Sequence, residues 1–516
     1  MKQLLNVSAI LLGLALLAVA CKQQESVTVN RQPATPSETE PASDSLSGPG
    51  DEKFEVLAVG ETSPVPSLDP LHARNGATLR AVQLVYEGLT RYDASGNPQP
   101  ALARTWEVSD DSLTWRFTLE TETFYHDSPI FRTGLGRRLQ ASDVKFAFER
   151  MAWNTVPDRA ASLFMHIRGF EPFLSEQRGV FNPELRRLGG VGGITVPNDS
   201  TVVFRLTEPD PQFLHRLASP YAVIYPPENI RTPYPSQFPA VGTGPYQRTR
   251  QQGDSLLIFS RHEPEEGAEP ADLPNRVDLH LYDNESELFR ALATGRVHLI
   301  PHAGPQTLET ILEEDGELSD SYRGQYRVHH SDKRYRYRIR HHGEGPLSRD
   351  AVQLLASAID SAAFGPNFPG SLLDLDMGGL AAAGTVELGR DDPEAAMDSA
   401  WQAFPADSVY SNYSDDLYLK NFISRWSGRL AERGVGLRMI PIRVPTRSTS
   451  LHADTWIPHH PGDAPTAVSP PLVEFRLPRV SVWRAEVEGL TFNAWPWWLD
   501  VRGVTTGTAA AGGTRP

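Results

Sequence analysis

The chain of 516 residues holds one cysteine, Cys21. No disulfide can form within it, so the fold must be held by burial of its own apolar side chains. Its body, 54 to 503, is long enough for roughly two or three lobes. Two hydrophobic periods interleave along that body. Leu113, Trp115, Phe117 and Leu119 alternate on one face and predict a half-buried strand over 113–119. Stretches 55–61, 201–208 and 277–282 read as further strands. Leu79, Val82, Val85 and Leu89 recur at helical spacing and predict a helix over 78–89. Val144, Ala147, Phe148 and Met151 predict another, opening after Ser142 with Asp143 in its first turn, where a carboxylate suits the helix dipole. A third, 285–295, is stopped by Gly295, and a fourth is expected over 348–360. Strands and helices mixed in this way place the chain in the α/β class.

The ends read differently. Leu4 to Val19 is mostly apolar behind Lys2, the pattern of a secretory signal over 1–20. That run is short for a bilayer-spanning helix, which needs about 20 apolar residues. Ala18-Val19-Ala20-Cys21 resembles a bacterial lipobox, and the resemblance implies lipidation of Cys21. The alternative is a plain signal peptide with a chance cysteine. Residues 21–53 are rich in Pro, Ser, Glu and Thr and bury too little to offset ordering entropy, so they read as a disordered tether. Residues 504–516 read as a disordered tail.

The formal charge of −15 argues against nucleic acid or an anionic membrane surface as the main partner. No H-E-x-x-H, G-x-S-x-G or G-x-x-x-x-G-K-[ST] occurs, so no signature of an enzyme emerges. The stretch VGTGPYQ (241–247) offers Gly242 and Gly244 but has Gln247 where a third glycine would stand. Pro245 also removes an N–H that a phosphate cradle would use. The stretch instead reads as a structural turn: Gly242 and Gly244 permit positive φ, and Pro245 fixes the exit before a strand at Tyr246. The pairs His329-His330, His341-His342 and His459-His460 read as solvated loop histidines, with no metal spacing. Asp110-Asp111 reads as a solvated turn. Trp483, Phe492, Trp495, Trp497 and Trp498 read as core or interlobe packing. Trp401 and Trp456 stand apart and suit the wall of a cleft.

Taken in order, SLDPL, LVYEGLTRYD, PALARTWEVSDDSLTWRFTL, ASDVKFAFERM, VVFRLTEPDPQFLHRLASP, VGTGPY and VDLHLYDNESELFRALATGRVHLI resemble the substrate-binding lipoproteins of peptide-type ABC transporters, solute-binding family 5. DAVQLLASAID and the late EVEGLTFNAW also resemble that family. The resemblance implies a type II periplasmic-binding-protein fold, with two lobes around a cleft and an additional domain. One lobe would be discontinuous (54–93, 191–275 and 470–503), the additional domain 94–190 and the opposing lobe 276–469. It implies capture of peptides or peptide-sized solutes, delivery to an ABC permease and its ATPase, a monomer and no cofactor.

The departures from the family fall in the opposing lobe. A Trp-x-x-Asp stretch of peptide binders is matched by Trp456-Ile457-Pro458-His459, so an imidazole stands where the amine-binding carboxylate would be. Asp463 lies near enough in sequence to replace it, and His459 suits a ligand carboxylate. Val352 stands where the family has arginine, and the pattern is shortened between about 463 and 475. Two alternatives therefore stay open: the same scaffold with a metal chelate, haem or sugar, or a lipoprotein that has lost transport.

Overall fold

The computed structural model describes residues 55–180, 190–230, 235–262, 273–341, 368–376, 408–413, 417–432, 436–441, 451–456, 473–493, 495 and 498–506. Cys21, Trp401, His459, Asp463 and the helix expected over 348–360 lie outside them. The strands and helices run in chain order β1 (Val56–Glu61), α1 (Gly76–Val85), β2 (Thr90–Tyr92), β3 (Pro98–Pro100), β4 (Ala103–Val108), β5 (Thr114–Leu119) and α2 (Ala141–Arg150). Next come α3 (Asp158–Ser162), α4 (Phe170–Arg178), β6 (Ile194–Asn198), β7 (Thr201–Arg205), α5 (Phe213–Leu217), β8 (Tyr246–Gln252), β9 (Leu256–Arg261) and β10 (Arg276–Leu281). They are followed by α6 (Glu285–Ala293), β11 (Leu299–Ile300), α7 (Pro305–Ile311), β12 (Tyr326–His341), β13 (Asp374–Asp376) and β14 (Ser408–Tyr413). The last are α8 (Leu417–Glu432), β15 (Gly436–Pro441), β16 (Leu451–Trp456), β17 (Val473–Arg484) and the short antiparallel pair β18 (Val487–Glu488) and β19 (Thr505–Thr506), the latter within the segment expected to be a disordered tail.

A sheet of 11 strands organises the molecule, in the order β15-β14-β16-β12-β17-β11-β1-β10-β9-β8, with β13 also on β17. β1 runs parallel to both neighbours, pairing Val59 with Leu279 on one side and Leu299 on the other. Such a strand is covered on both faces, which is why VLAVG is nearly all apolar. β17 runs antiparallel to β12 and β11 and so joins the two halves of the sheet. It carries Pro478 in its interior, and the ladder opposite slips between His330 and Arg334. A proline donates no N–H, so a central strand accepts it at such a bulge. Ser331 sits in the bulge, and its hydroxyl accepts from the Arg479 N–H at 2.9 Å.

The second sheet, β4-β5-β7-β6, is antiparallel. Phe117, Phe148, Phe164, Phe204 and Phe213 interlock against it, with Phe148 centred 4.8 Å from Phe164 and 5.0 Å from Phe204. β6 and β7 fall in the range expected for the discontinuous lobe, yet β7 pairs with β5 and completes this sheet. Thr201–Arg205 has the β-branched and aromatic residues an inner strand needs, and Phe204 supplies part of the shared core.

Several sequence expectations are corrected in detail. The helix expected over 78–89 is α1, which starts at Gly76 behind an Asn75 cap and stops at Val85. It stops because the chain beyond it is used elsewhere: the Glu87 carbonyl accepts from Ile224 N–H at 2.8 Å and Gly88 bridges Val223. α2 starts one residue before Ser142, and the Asp143 carboxylate reaches back to the Gln140 N–H at 3.0 Å. His329 and His330 are not in a loop. They lie in β12 opposite Ser481 and Val480, both half-buried, and the His329 ring stacks on Phe492 at 4.7 Å. Gly295 takes φ 76° just past α6, the left-handed turn that ends a helix.

Candidate ligand-binding site

The SLDPL turn shows how the scaffold around the site is fixed. Asp69 precedes a short 3-10 turn beginning at Pro70 and accepts from the Leu71 N–H. Its carboxylate also receives the Arg150 guanidinium of α2, at 2.8 Å to one oxygen and closer to the other, and pairs with His72 at 2.9 Å. Burial alone would raise the Asp69 carboxyl, but Arg150 and His72 hold it well below the usual range. Tyr225 accepts from the same guanidinium at 3.1 Å, so α2 is locked to α1's side of the fold by a buried network.

The turn 241–245 packs on the end of α1. Neither Gly242 nor Gly244 takes positive φ, against expectation. Closeness makes them glycine instead: a Cβ on Gly244 would lie 2.6 Å from the Val85 carbonyl carbon and 2.8 Å from the Leu84 oxygen. A Cβ on Gly242 would overlap the Val85 oxygen. Gly244 N–H donates to that same Val85 oxygen at 2.9 Å. His126 holds the other side, its Nε2 against the Gly244 oxygen at 2.8 Å and its own N–H on the Gly242 oxygen at 2.9 Å. Burial lowers His126 to about 4, so the ring is neutral. The backbone groups of Gly242 and Gly244 are thus engaged within the protein.

Behind α1 lies a cavity of about 400 Å³. This is within the ~300–1,000 Å³ typical of small-molecule sites. Leu84, Val223, Val277 and Leu279 give it apolar walls, and Trp498 and Tyr92 add aromatic ones. Thr243, Pro245 and Tyr246 also line it, so the turn borders the cavity rather than standing clear of it. Charges of both signs reach the lining. Glu61 at the end of β1 accepts from Arg80 of α1 at 2.7 Å, both buried. Burial raises Glu61, with Arg80 pulling the other way. Glu87 is half-buried; burial raises it too, against the Thr243 hydroxyl and the fields of Arg91 and Arg502. Arg502 pairs with Asp500 at 2.9 Å.

Next to Glu61 of β1 and Arg80, three further strands converge. β11 leads to His302, β12 carries Tyr335, and β17 carries Arg479. His302 and Tyr335 stack at 4.8 Å with their planes 10° apart. Burial, with Arg80 and Arg479 nearby, pushes His302 well below the usual imidazole range. Arg479 is fully buried, and its Nη1 donates to the Trp498 oxygen at 2.7 Å.

Of the turn residues singled out in the sequence, Pro245 lines the cavity, whereas Gly242 and Gly244 are not among its lining residues and pack on the end of α1. Trp456 is described by its backbone alone: it ends β16 opposite Arg336 of β12. Trp495 and Trp498 are buried, and Trp483 packs on Phe492 at 5.1 Å. Among the described residues no three of His, Cys, Asp and Glu converge as on a metal ion, and no helix is long and apolar enough to cross a membrane. Sequence reasoning missed Glu61, Arg80, Glu87 and Arg479. For Glu61 and Arg80 a signal existed: each is a charge set in an otherwise apolar strand or helix stripe, as in VLAVGE and TLRAVQLV.

Comparison with known proteins agrees with this architecture. Residues 97–353 match the bacterial extracellular solute-binding proteins, family 5 middle region. The chain belongs to that family, and its fold is of the α/β, type II periplasmic-binding-protein kind. It is 31% identical over 256 residues to the dipeptide-binding protein of Escherichia coli strain K12, covering 45% of this chain and 44% of that protein. It is 29% identical over 232 residues to the peptide transport periplasmic protein SapA of Salmonella typhimurium, covering 42% and 38%. The matches span less than half the length of these curated relatives. Among solved structures, Listeria monocytogenes OppA bound to peptide superposes with a TM-score of 0.66 at 12% identity, covering 88% of this chain and 99% of that one. The Escherichia coli murein tripeptide binding protein MppA superposes with the same TM-score and coverage at 12% identity. At that identity the likeness concerns the fold.

Proposed function

We propose that this protein is an extracytoplasmic solute-binding lipoprotein that captures peptides or peptide-sized solutes and hands them to an ABC importer. The observation that carries the reading is the amphoteric lining of the cavity. Carboxylates (Glu61, Glu87) and guanidinium groups (Arg80, Arg91, Arg502) stand among apolar and aromatic walls. A peptide carries both charges and apolar side chains, so such a lining fits it better than a purely apolar or singly charged solute. Binding needs no covalent step and no cofactor. The discontinuous lobe is proposed as 54–93, 191–275 and 470–503, the opposing lobe as 276–469. On these bounds nearly all of the cavity belongs to the first, and Val277 and Leu279 of β10 border it from the second. Trp456, His459, Asp463 and Trp401 are proposed to face the ligand from the opposing lobe. Cys21 is proposed to carry the lipid that ties the protein to the membrane.

The test is mass spectrometry of solutes co-purified with the full chain, followed by thermal melts with a peptide library. A ligand at 100 times its Kd should stabilise by about 2.7 kcal/mol. If no peptide co-purifies and no library member shifts the melt, the peptide reading fails. A second reading rests on His459: an imidazole in place of the amine-binding carboxylate favours a solute without a free amino group. It expects a co-purified acid or chelate rather than a peptide.

A further inference from the structure

Arg479 of β17 is fully buried, and two of its nitrogens, Nε and Nη2, have no hydrogen-bond partner. Its Nη1 is satisfied by the Trp498 oxygen at 2.7 Å, and its carbon Cζ lies 5.4 Å from the centre of the Phe492 ring. A ring face offsets only part of the cost of desolvating a guanidinium. The charges around it make matters worse. Arg80 repels it, and Glu61, the carboxylate that acts on it, is already bonded to Arg80 at 2.7 Å. His302 and His329 stand nearby, both kept neutral with Arg479 among the causes. Among the described residues the cluster thus holds two guanidinium groups against one carboxylate. Burial and Arg80 lower Arg479 only to about 9, so it stays cationic at neutral pH.

We propose that Nε and Nη2 of Arg479 form a binding site for a monoanion. The two donors lie in the plane of one guanidinium, on one edge of the fork, and suit the two oxygens of a carboxylate or a single halide. Glu61 and Arg80 line the cavity, and the charges of both act on Arg479, which is itself fully buried. Two sources share the chemistry: the carboxylate of a bound solute, or an inorganic anion that exchanges with solvent. The site stands on the charge balance of the cluster and does not depend on the peptide reading.

The full chain, purified in detergent, is melted in HEPES buffer with a bulky sulfonate as the only added salt. Sodium acetate or sodium chloride then replaces that salt at constant ionic strength. Wild-type Tm is expected to rise by several degrees with acetate or chloride, and Arg479→Gln to lose that rise. A wild-type Tm indifferent to the anion, or an equal rise in Arg479→Gln, overturns the proposal. If Arg479→Gln fails to fold, Arg479→Lys keeps the charge but loses the paired donors, so its rise should be smaller. A rise equal to that of wild type would count against the site. A peptide with a free C-terminal carboxylate is then compared with its amide. If the free acid abolishes the acetate response and the amide does not, the solute's carboxylate is the occupant. If neither does, the occupant is inorganic. Both results retain the site, and the second leaves the peptide reading to its own test.

Discussion

At the scale of single residues, burial decides what each substitution costs. Asp69→Ala would leave Arg150 buried without its carboxylate, and breaking such a pair from one side costs about 3–5 kcal/mol. Chemical denaturation should show it as a large drop in midpoint, while Asp111→Ala in its exposed turn should change little. Gly244→Val is expected to lower stability by at least ~1–3 kcal/mol, because its side chain would drive into the Val85–Tyr86 backbone. Soluble yield and melting temperature would report it, and a variant that melts normally would mean the turn has room to move. His126 sets a pH dependence. Its folded value of about 4 lies below its ordinary 6.5, so the unfolded chain binds the proton more readily. Its contribution is therefore complete above about 6.5 and lost as pH falls through 4, in all roughly 3 kcal/mol. Melts from pH 7 to 4 should fall less steeply for His126→Gln. His329 shifts the same way, so part of the slope should remain.

At the scale of elements, the α6 cap and the β12 bulge are the sharpest tests. Asn284 accepts from the Glu287 N–H at 2.9 Å, so Asn284→Ala should cost about 1 kcal/mol. Ser331→Ala would leave the buried Arg479 N–H without an acceptor, at a cost of about 1–3 kcal/mol. Denaturant titration of both variants, with unchanged slope, would check them. Elements differ in how far the sequence betrays them. β1, β5, α1, α2 and α6 show clean periods because one face or both are apolar. β12 hides its strand, since YRVHHSDKRYRYRIRH buries tyrosines and an arginine instead of aliphatic residues. β17 hides behind Pro478, which reads as a break until the bulge opposite is known. The candidate site was less legible still. Glu61, Arg80, His302, Tyr335 and Arg479 come from distant parts of the chain, and only the sheet order brings them together.

At the scale of the whole molecule, family order told the fold, while the cavity had to be seen. A lipid on Cys21 should place the protein in the membrane fraction of cells, and Cys21→Ala should release it to the soluble fraction. Fractionation with a labelled fatty acid would check this; wild type found soluble and unlabelled would refute the anchor.

The position of β17 has a consequence for how the protein is made. It lies between β12 and β11 in space but follows both in sequence, so a growing chain exposes the facing edges of both strands until β17 itself has been synthesised. The central sheet cannot close early, because its keystone arrives late. A chain stopped before residue 473 should therefore remain open to proteases, however many of its other strands it already contains.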